Sequence, residues 1–377
     1  MGVFTLIPGL GNWDIFSIIF FIILIIFIPI VMRIRIFSTL QKALMEMENM
    51  VQESRDIIIK FSKEKDQKTR EKVNEFLDFF VIPPTDLDPN GIVQKFNKIL
   101  ELSESRFKNM VNTIAPEASR ETKANIIMTL KVAIGLNSVY KMIRHNLELA
   151  KKTGNLQILI ALQMNMPLIM RIFKAQFKGA KAFSKGLPVG DGAGPLTTAM
   201  LLKKDDKIES IDEMIYAKRE CNGRKLIILR PEGPGARLGK IAKAVNTLID
   251  KFNIQKIIMI DAAVKMEGEE TGKVAEGVGI VIGGTGVEKW FIEDKILKAD
   301  IEIDSIVIKM SPEEAITQMN KKIFRGCETA LERVKSSIER TEDGNILIVG
   351  VGNSCGIPNI IEDPSIIKLK DDEEGDT

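Results

Sequence analysis

The sequence is poor in the residues on which several common chemistries depend. Its 377 residues include one histidine, His145, and three cysteines at positions 221, 327 and 355. A single histidine argues against Ser-His-Asp and Cys-His hydrolase arrangements and against histidine-based zinc sites. The cysteines are odd in number and have no CxxC spacing, so neither a disulfide framework nor a zinc site is expected.

Net charge and aromatic residues are also scarce. The 53 basic and 51 acidic residues nearly cancel, and there are two tryptophans and two tyrosines. Neither a basic footprint nor base-stacking platforms are indicated, so we predict no nucleic-acid partner. Glycine-rich segments around Gly233 and Gly350 miss the spacing of the phosphate-binding and dinucleotide-binding loops.

One long apolar run stands out against this background. Residues 15–32 read IFSIIFFIILIIFIPIVM and carry no charge. At about 1.5 Å per residue such a run spans roughly 27 Å, close to the hydrocarbon thickness of a bilayer. We therefore predict a single transmembrane helix at 15–32 and a protein of the cell membrane. A cleaved signal peptide is disfavoured because no basic leader precedes the run.

The charges that flank the run predict its orientation. No lysine or arginine precedes it, whereas Arg33, Arg35 and Lys42 follow. Since positive charge is retained on the cytoplasmic side, residues 1–14 are expected outside and the C-terminal domains in the cytoplasm.

Residues 33–64 form a predicted amphipathic or coiled-coil stalk. Apolar residues from Ile36 to Phe61 alternate spacings of three and four, with Ser54 as the one polar break. Two interpretations are equally supported: a coiled coil that pairs two copies through residues 36–61, or a helix packed on its own chain.

The remaining chain divides into a helical part and an α/β part. Residues 65–183 have helical periodicity throughout and are expected to form an all-α domain. Residues 184–362 are expected to form an α/β domain with a mostly parallel sheet, and 363–377 an acidic tail. The α/β prediction depends on short β-branched runs at 225–230, 256–261, 277–284, 304–310 and 345–352.

Two aspartates are the candidate chemical groups. Asp191 lies in GDGAGP just before a helix, whose N-terminal N–H groups are expected to favour the ionised carboxylate. Asp261 ends the apolar run KIIMID, which would bring its carboxylate to the sheet edge. Together they could act as an acid/base pair or hold a divalent cation, whereas separately each would only cap a turn or pair with lysine.

The order GDGAGP, an apolar strand ending in IDAA, then GGTGVEK resembles the spore-germination proteases and the related hydrogenase-maturation endopeptidases. The resemblance implies a phosphorylase/hydrolase-like fold, with Asp191 and Asp261 as working carboxylates. It also implies that Gly283, Gly284 and Gly286 line the same cleft. From the sequence itself, the glycine-rich loop around Asp191 adds Gly190, Gly192 and Gly194 as candidate ligand-binding residues. Glu232 and Lys265, on neighbouring loops, are the candidate helper residues.

Two departures from that pattern concern the maturation enzymes. Those enzymes open with a strand that runs into a GVGN turn, whereas here ILIVGVGN occupies 346–353, which leaves permutation or coincidence as explanations. Their metal-ligating histidine has no counterpart. The whole chain also resembles an uncharacterised family of archaeal membrane proteins.

The expected function is a membrane-anchored hydrolase, peptidase-like, that uses the aspartate pair alone or with a divalent cation. The alternative is a non-catalytic module, tethered to the membrane, that binds a small-molecule or peptide ligand at the glycine-rich loops or serves as a scaffold.

Overall fold

The computed structural model describes residues 12–83, 91–221, 223–284, 286–341 and 344–371. Most of the predicted N-terminal segment, residues 1–11, and the last six residues of the predicted acidic tail, 372–377, lie outside these ranges. By contact, the chain divides into two units, one of Met1–Met50 with Ser138–Arg171 and one of Val51–Asn137 with Ile172–Thr377.

Ten α-helices occur in the described residues. They are α1 Asn12–Lys60, α2 Gln67–Phe76, α3 Ile92–Ile114, α4 Arg120–Thr153, α5 Leu156–Ser184, α6 Ala193–Leu201, α7 Ile241–Phe252, α8 Val287–Ala299, α9 Pro312–Ile316 and α10 Lys321–Arg340. Seven β-strands occur in the same residues. They are β1 Ile208–Ile211, β2 Met214–Cys221, β3 Arg224–Pro231, β4 Lys256–Val264, β5 Val274–Gly277, β6 Glu302–Met310 and β7 Asn345–Gly350.

In the first unit, α1 and the C-terminal half of α4 run antiparallel. Tyr140 hydrogen bonds to Glu48, and Lys151 lies 5.9 Å from the centre of the Phe37 ring. The two pairs are separated by the same number of residues on each helix, as expected for two helices with equal rise.

The heptad positions of α1 are covered by the chain's own helices. Ile36, Leu40 and Met47 are at most 4% exposed, and Ser54 is completely buried. This burial agrees with the second interpretation of the stalk, a helix packed on its own chain. A homodimer through residues 36–61 would have to displace these contacts.

Three helices are long and apolar enough to cross a membrane, by length and composition alone. They are Phe16–Lys60, Arg120–Thr153 and Leu156–Ser184. In the most apolar stretch of the first helix, no residue is buried. In the corresponding stretches of the second and third helices, 44% and 17% of the residues are buried. The sequence analysis predicted only the first.

In the second unit, the helical part has its own core. Apolar side chains from the end of α1, from α2, α3 and the first half of α4 form one buried cluster, with Ile58, Leu77, Phe107, Ile126 and Leu130 among its members. The predicted helical N-terminal region is confirmed.

The α/β part is built on a seven-stranded mixed sheet of order β1-β2-β3-β7-β4-β6-β5. The central strands β3, β7, β4 and β6 are parallel, and the strands at both edges pair antiparallel. Helices α6 and α10 cover one face of the sheet and α7 and α8 the other. The predicted helical region followed by an α/β domain with parallel central strands is therefore confirmed.

Two strand predictions need correction. Of the strand expected at 277–284, residues 278–284 are irregular. Ile280, Val281 and Ile282 pack on the α7/α8 side, which explains their apolar character, whereas Val278 is exposed. Asp261 does not end its strand, because β4 continues along β6 as far as the pair Val264 and Met310.

Candidate functional site

The candidate site lies where β7 and β4 separate. Their pairing ends at Ile260 and Gly350, and the Val351 N–H closes it with a 2.8 Å hydrogen bond to the Ile260 carbonyl. Beyond this point β4 continues beside β6. The chain from β7 turns instead towards the loop after β3, where the Ser354 N–H donates to the Arg237 carbonyl at 3.0 Å. In open α/β sheets, ligands commonly bind at the carboxyl ends of parallel strands, where neighbouring strands diverge.

Asp261 is the first residue of β4 that has lost its β7 neighbour. It is only 6% exposed. Its carboxylate accepts a 2.7 Å hydrogen bond from the Ala262 N–H and a further one from the Gly283 N–H. Burial, and next the charge of Asp191, raise the pKa of Asp261 well above its ordinary value despite these bonds. The 3-10 turn that carries Asp191 also contacts β4, so the two aspartates lie in neighbouring elements.

Asp191 lies in a 3-10 turn, Gly190–Gly192, that leads into α6. Its residue is half-buried, but protein atoms surround the carboxyl group closely enough that burial raises its pKa to about 6, partly offset by the Asn353 N–H. The expectation that the helix start would favour the ionised form is therefore wrong. Desolvation outweighs the few N–H groups available at this short turn.

The glycines around Asp191 are required for packing. A Cβ on Gly194 would collide with the carbonyl oxygens of Ile260 and Val351, and one on Gly190 with that of Glu314. A side chain on Gly192 would meet Ile357. We call residues 190–194 the packed loop. Its glycines bring Asp191 against the ends of β4 and β7.

The glycines beyond Asp261 have a different environment. An added Cβ at Gly283, Gly284 or Gly286 would meet no atom within 4 Å, and all three residues are exposed. Gly284 and Gly286 also have positive φ angles of 95° and 78°, which favour glycine. We call residues 283–286 the open loop. Through the Gly283 N–H it reaches the carboxylate of Asp261.

The two expected helper residues lie apart from the aspartate pair. Glu232 forms a bidentate ion pair with Arg120 at the start of α4, in which the two terminal guanidinium nitrogens lie 2.9 and 2.6 Å from the two carboxylate oxygens. Lys265 comes after the last residue of β4, where its N–H donates to the Met310 carbonyl at 2.9 Å. The groups that shift the pKa values of the two aspartates include neither of them.

The GVGN turn contributes to the environment of Asp191, although the sequence analysis did not include it among the candidate site residues. The Asn353 N–H donates to the Asp191 carbonyl at 3.2 Å, and a Cβ on Gly352 would collide with the same carbonyl. Both residues belong to the GVGN turn that follows β7. The signal was present in the sequence, but the distance of this turn from Asp191 along the chain concealed the contact.

The arrangement supports acid/base chemistry more directly than metal binding. Two carboxyl groups whose pKa values are raised to different extents can differ in protonation state near neutral pH, one as the acid and the other as the base. Among the residues that the structure describes, no group of three or more His, Cys, Asp or Glu side chains could hold a metal. A divalent cation at this site would take two carboxylate ligands and complete its shell with water.

Fold and site define a protein with a helical N-terminal region and a mixed α/β domain that carries a buried aspartate pair. Two family models match such a chain, the N-terminal domain of a protein of unknown function, DUF1512, over residues 14–186 and the DUF1512 C-terminal domain over residues 189–358. Since the two matches together cover most of the sequence, the chain belongs to the DUF1512 family.

The other comparisons add little. No curated protein matches this chain. One solved structure, a proteasome-assembly chaperone homologue of Mycobacterium tuberculosis, is 15% identical with a TM-score of 0.27, over 41% of this chain and 83% of that one. A likeness this weak carries no argument about fold or function.

Proposed function

We propose that this protein is a membrane-anchored hydrolase, of peptidase type, whose working groups are Asp191 and Asp261. The observation that carries the proposal is the position of two buried carboxyl groups, with pKa values raised by burial, at the carboxyl ends of the central strands. Clusters of carboxyl groups with strongly shifted pKa values are a mark of functional sites.

The different environments of the two aspartates suggest a division of roles. Asp261 is the more deeply buried, and repulsion by Asp191 favours its protonated form. Asp191, with a pKa of about 6, is mostly ionised at neutral pH. Asp191 would accept a proton from water as the water oxygen bonds to the carbonyl carbon, while Asp261 donates its proton to the leaving amine. The bond to nitrogen breaks, and the products are a carboxylic acid and an amine.

The GVGN turn supports the proposed likeness to the maturation endopeptidases. In this chain the strand and turn come last in the α/β domain, whereas GDGAGP comes first. Nevertheless β7 lies between β3 and β4 in the middle of the sheet, and Asn353 contacts Asp191. The two motif halves therefore meet in space, as expected for a permuted order of the same elements.

We propose further that residues 15–32 anchor the chain, with the N-terminus outside and the remaining domains in the cytoplasm. From Phe16 to Met32, every residue is exposed, which leaves an apolar surface far longer than soluble proteins present to water. A single pass is favoured because α4 runs alongside the segment of α1 that follows this stretch, from Phe37 to Glu48.

The hydrolase proposal is tested with the full-length protein in lipid nanodiscs. A complex peptide mixture is incubated with the discs, with and without Mg²⁺, and new peptide termini are identified by mass spectrometry. We expect cleavage by the parent and none by Asp191→Asn or Asp261→Asn. Asp205→Asn, which alters an exposed aspartate after α6, is the matched control and should cleave like the parent.

The open loop favours a second candidate function, non-catalytic binding of a small-molecule or peptide ligand. At its three glycines, Gly283, Gly284 and Gly286, no protein atom occupies the position of a side chain, so a ligand can approach the backbone closely. If the parent binds peptides from the mixture and releases them uncleaved, it has no hydrolase activity that the two Asn variants could abolish. The protein is then a binding module and not a hydrolase.

A further inference from the structure

The turn between α4 and α5 lies beside the end of the apolar run of α1. The turn is formed by Gly154, with a φ of 71°, and Asn155, whose side chain accepts the Gln157 N–H at 2.9 Å. A Cβ built on Gly154 would lie 3.5 Å from both terminal nitrogens of the Arg33 guanidinium. Arg33 immediately follows Met32, the last residue of the run. The tip of this hairpin therefore lies at the level where the apolar surface of α1 ends.

The hairpin tip is strongly basic. Lys151 and Lys152 occupy the last turn of α4, and both are exposed. From residue 149 to residue 190 the sequence contains lysine and arginine but no aspartate or glutamate. The facing segment of α1, residues 15–45, likewise has Arg33, Arg35 and Lys42 without any acidic residue. Two independent parts of the chain thus bring positive charge to one level, and no carboxylate from either stretch neutralises it.

We propose that the tip of the α4–α5 hairpin is a docking surface for anionic lipid headgroups. Lys151 and Lys152 contact the headgroups together with Arg33 and Arg35 of α1. Charge complementarity identifies this occupant, because basic clusters immediately beside a membrane anchor attract anionic lipids. The inference rests on the proposed anchor at residues 15–32. It adds a second membrane-contacting element, remote in sequence from the anchor, that would fix the rotation of α1 and its neighbours at the bilayer surface.

The test uses the full-length protein in nanodiscs of phosphatidylcholine alone or with added phosphatidylglycerol. Hydrogen exchange is followed by mass spectrometry over residues 149–158. We expect slower exchange in the anionic discs, and salt should reduce this protection because it screens surface charge. Lys151→Gln/Lys152→Gln should lower the affinity of the tip for anionic lipid by roughly an order of magnitude and abolish the difference between the discs.

The control is a second lysine pair, Lys203 and Lys204, which is exposed in the α/β domain. Lys203→Gln/Lys204→Gln should keep the lipid-dependent protection. Equal exchange in the two kinds of disc, or equal loss in both double variants, would overturn the docking surface. Retention in the discs is measured first. A chain that does not stay in them overturns the anchor as well, whereas a retained chain with lipid-independent exchange overturns the docking surface alone.

Discussion

The packed loop and the open loop lie on either side of the aspartate pair, and both are rich in glycine for different physical reasons. In the packed loop, the space that a side chain on Gly194 would occupy is filled by the ends of β4 and β7. In the open loop, the same space at Gly283 holds no atom. The packed loop sets the position of Asp191, whereas the open loop leaves room beside Asp261.

This difference shows that density of glycine does not by itself indicate a ligand site. A glycine can permit close approach either of protein backbone or of a ligand, and both situations produce a glycine-rich sequence. If the comparison is sound, substitutions in the packed loop act on folding and those in the open loop act on what binds at the site.

The largest effect is expected from Gly194→Ala. The new methyl group would collide with the carbonyl oxygens of Ile260 and Val351. Ile260 lies in β4 and Val351 directly follows β7, so neither carbonyl can rotate away. We expect a loss of roughly 3 kcal/mol or more. The gain in helix propensity, about 1 kcal/mol, opposes this loss but is smaller. Denaturant unfolding of the full chain in detergent, followed by circular dichroism, measures the change.

Gly283→Ala is the matched control for that substitution. It adds the same methyl group at a position where nothing lies within 4 Å. The unfolding free energy should change by less than about 0.5 kcal/mol. Equal losses in the two variants would show that the loops do not differ in packing and would remove the basis of the comparison.

The next effect concerns the pH dependence of stability. The folded-state pKa of Asp191 is raised to about 6, above an unfolded value near 3.8. Between these values the folded state binds more protons than the unfolded state, so this group stabilises the fold as pH falls from 7 towards 4.5. Asp191→Asn removes the contribution. Relative to the parent, the variant should therefore gain stability at pH 7 and lose that advantage at pH 4.5.

Asp304 provides a control of opposite sign. Its pKa is lowered, although burial opposes the shift, by hydrogen bonds from Lys256 and Ser337. A lowered pKa stabilises the fold above about pH 4 and loses this effect only below it. Asp304→Asn should therefore be less stable than the parent by a constant amount between pH 4.5 and 7. A difference for Asp191→Asn that is equally flat would contradict its raised pKa.

Some of the fold could be predicted because burial imposes a simple pattern on the sequence. The apolar runs of β3, β4, β6 and β7 mark strands that are covered by helices on both faces, as parallel strands require. The same rule fails at residues 278–284, where apolar residues pack against α7 and α8 without forming a strand. Hydrophobicity reports burial there but not backbone conformation.

The edge strands and the site geometry were harder to predict. Towards the end of β2, the exposed residues Lys218 and Glu220 alternate with the partly buried Arg219 and Cys221, and three charged residues in a row weaken the apolar signal of the strand. Asp191 and Asp261 could be chosen as candidates from the sequence because one lies in a glycine-rich segment before a helix and the other at the end of an apolar run. Their pKa values could not be deduced, because desolvation depends on the surrounding loops. The contact with Asn353 depends on strand order, which the sequence does not state.

A smaller effect is expected at Glu232. Its substitution tests whether this predicted helper residue has a structural role through its ion pair. Its ion pair with Arg120 joins a side chain that is 15% exposed to one that is 64% exposed. Glu232→Gln should lower stability by about 0.5–1 kcal/mol, as for a largely solvated pair. Arg120→Gln should give a similar loss, and the double variant should lose less than the sum of both. Strict additivity in this double-mutant cycle would show that the pair is not a stabilising contact.

The smallest effect on stability and the most selective effect on function are expected from Gly283→Val. The larger side chain enters open space, so the unfolding free energy should stay within about 0.5 kcal/mol of the parent. The Gly283 N–H that donates to Asp261 is retained, because a substitution at Cα does not remove it. The isopropyl group would nevertheless project into the open space at the loop whose N–H binds Asp261. Peptide cleavage in the nanodisc assay should therefore fall, or peptide retention should fall if the protein is a binding module. A variant that is stable and unchanged in both readouts would place the bound peptide elsewhere, and the open loop would then be only an exposed turn.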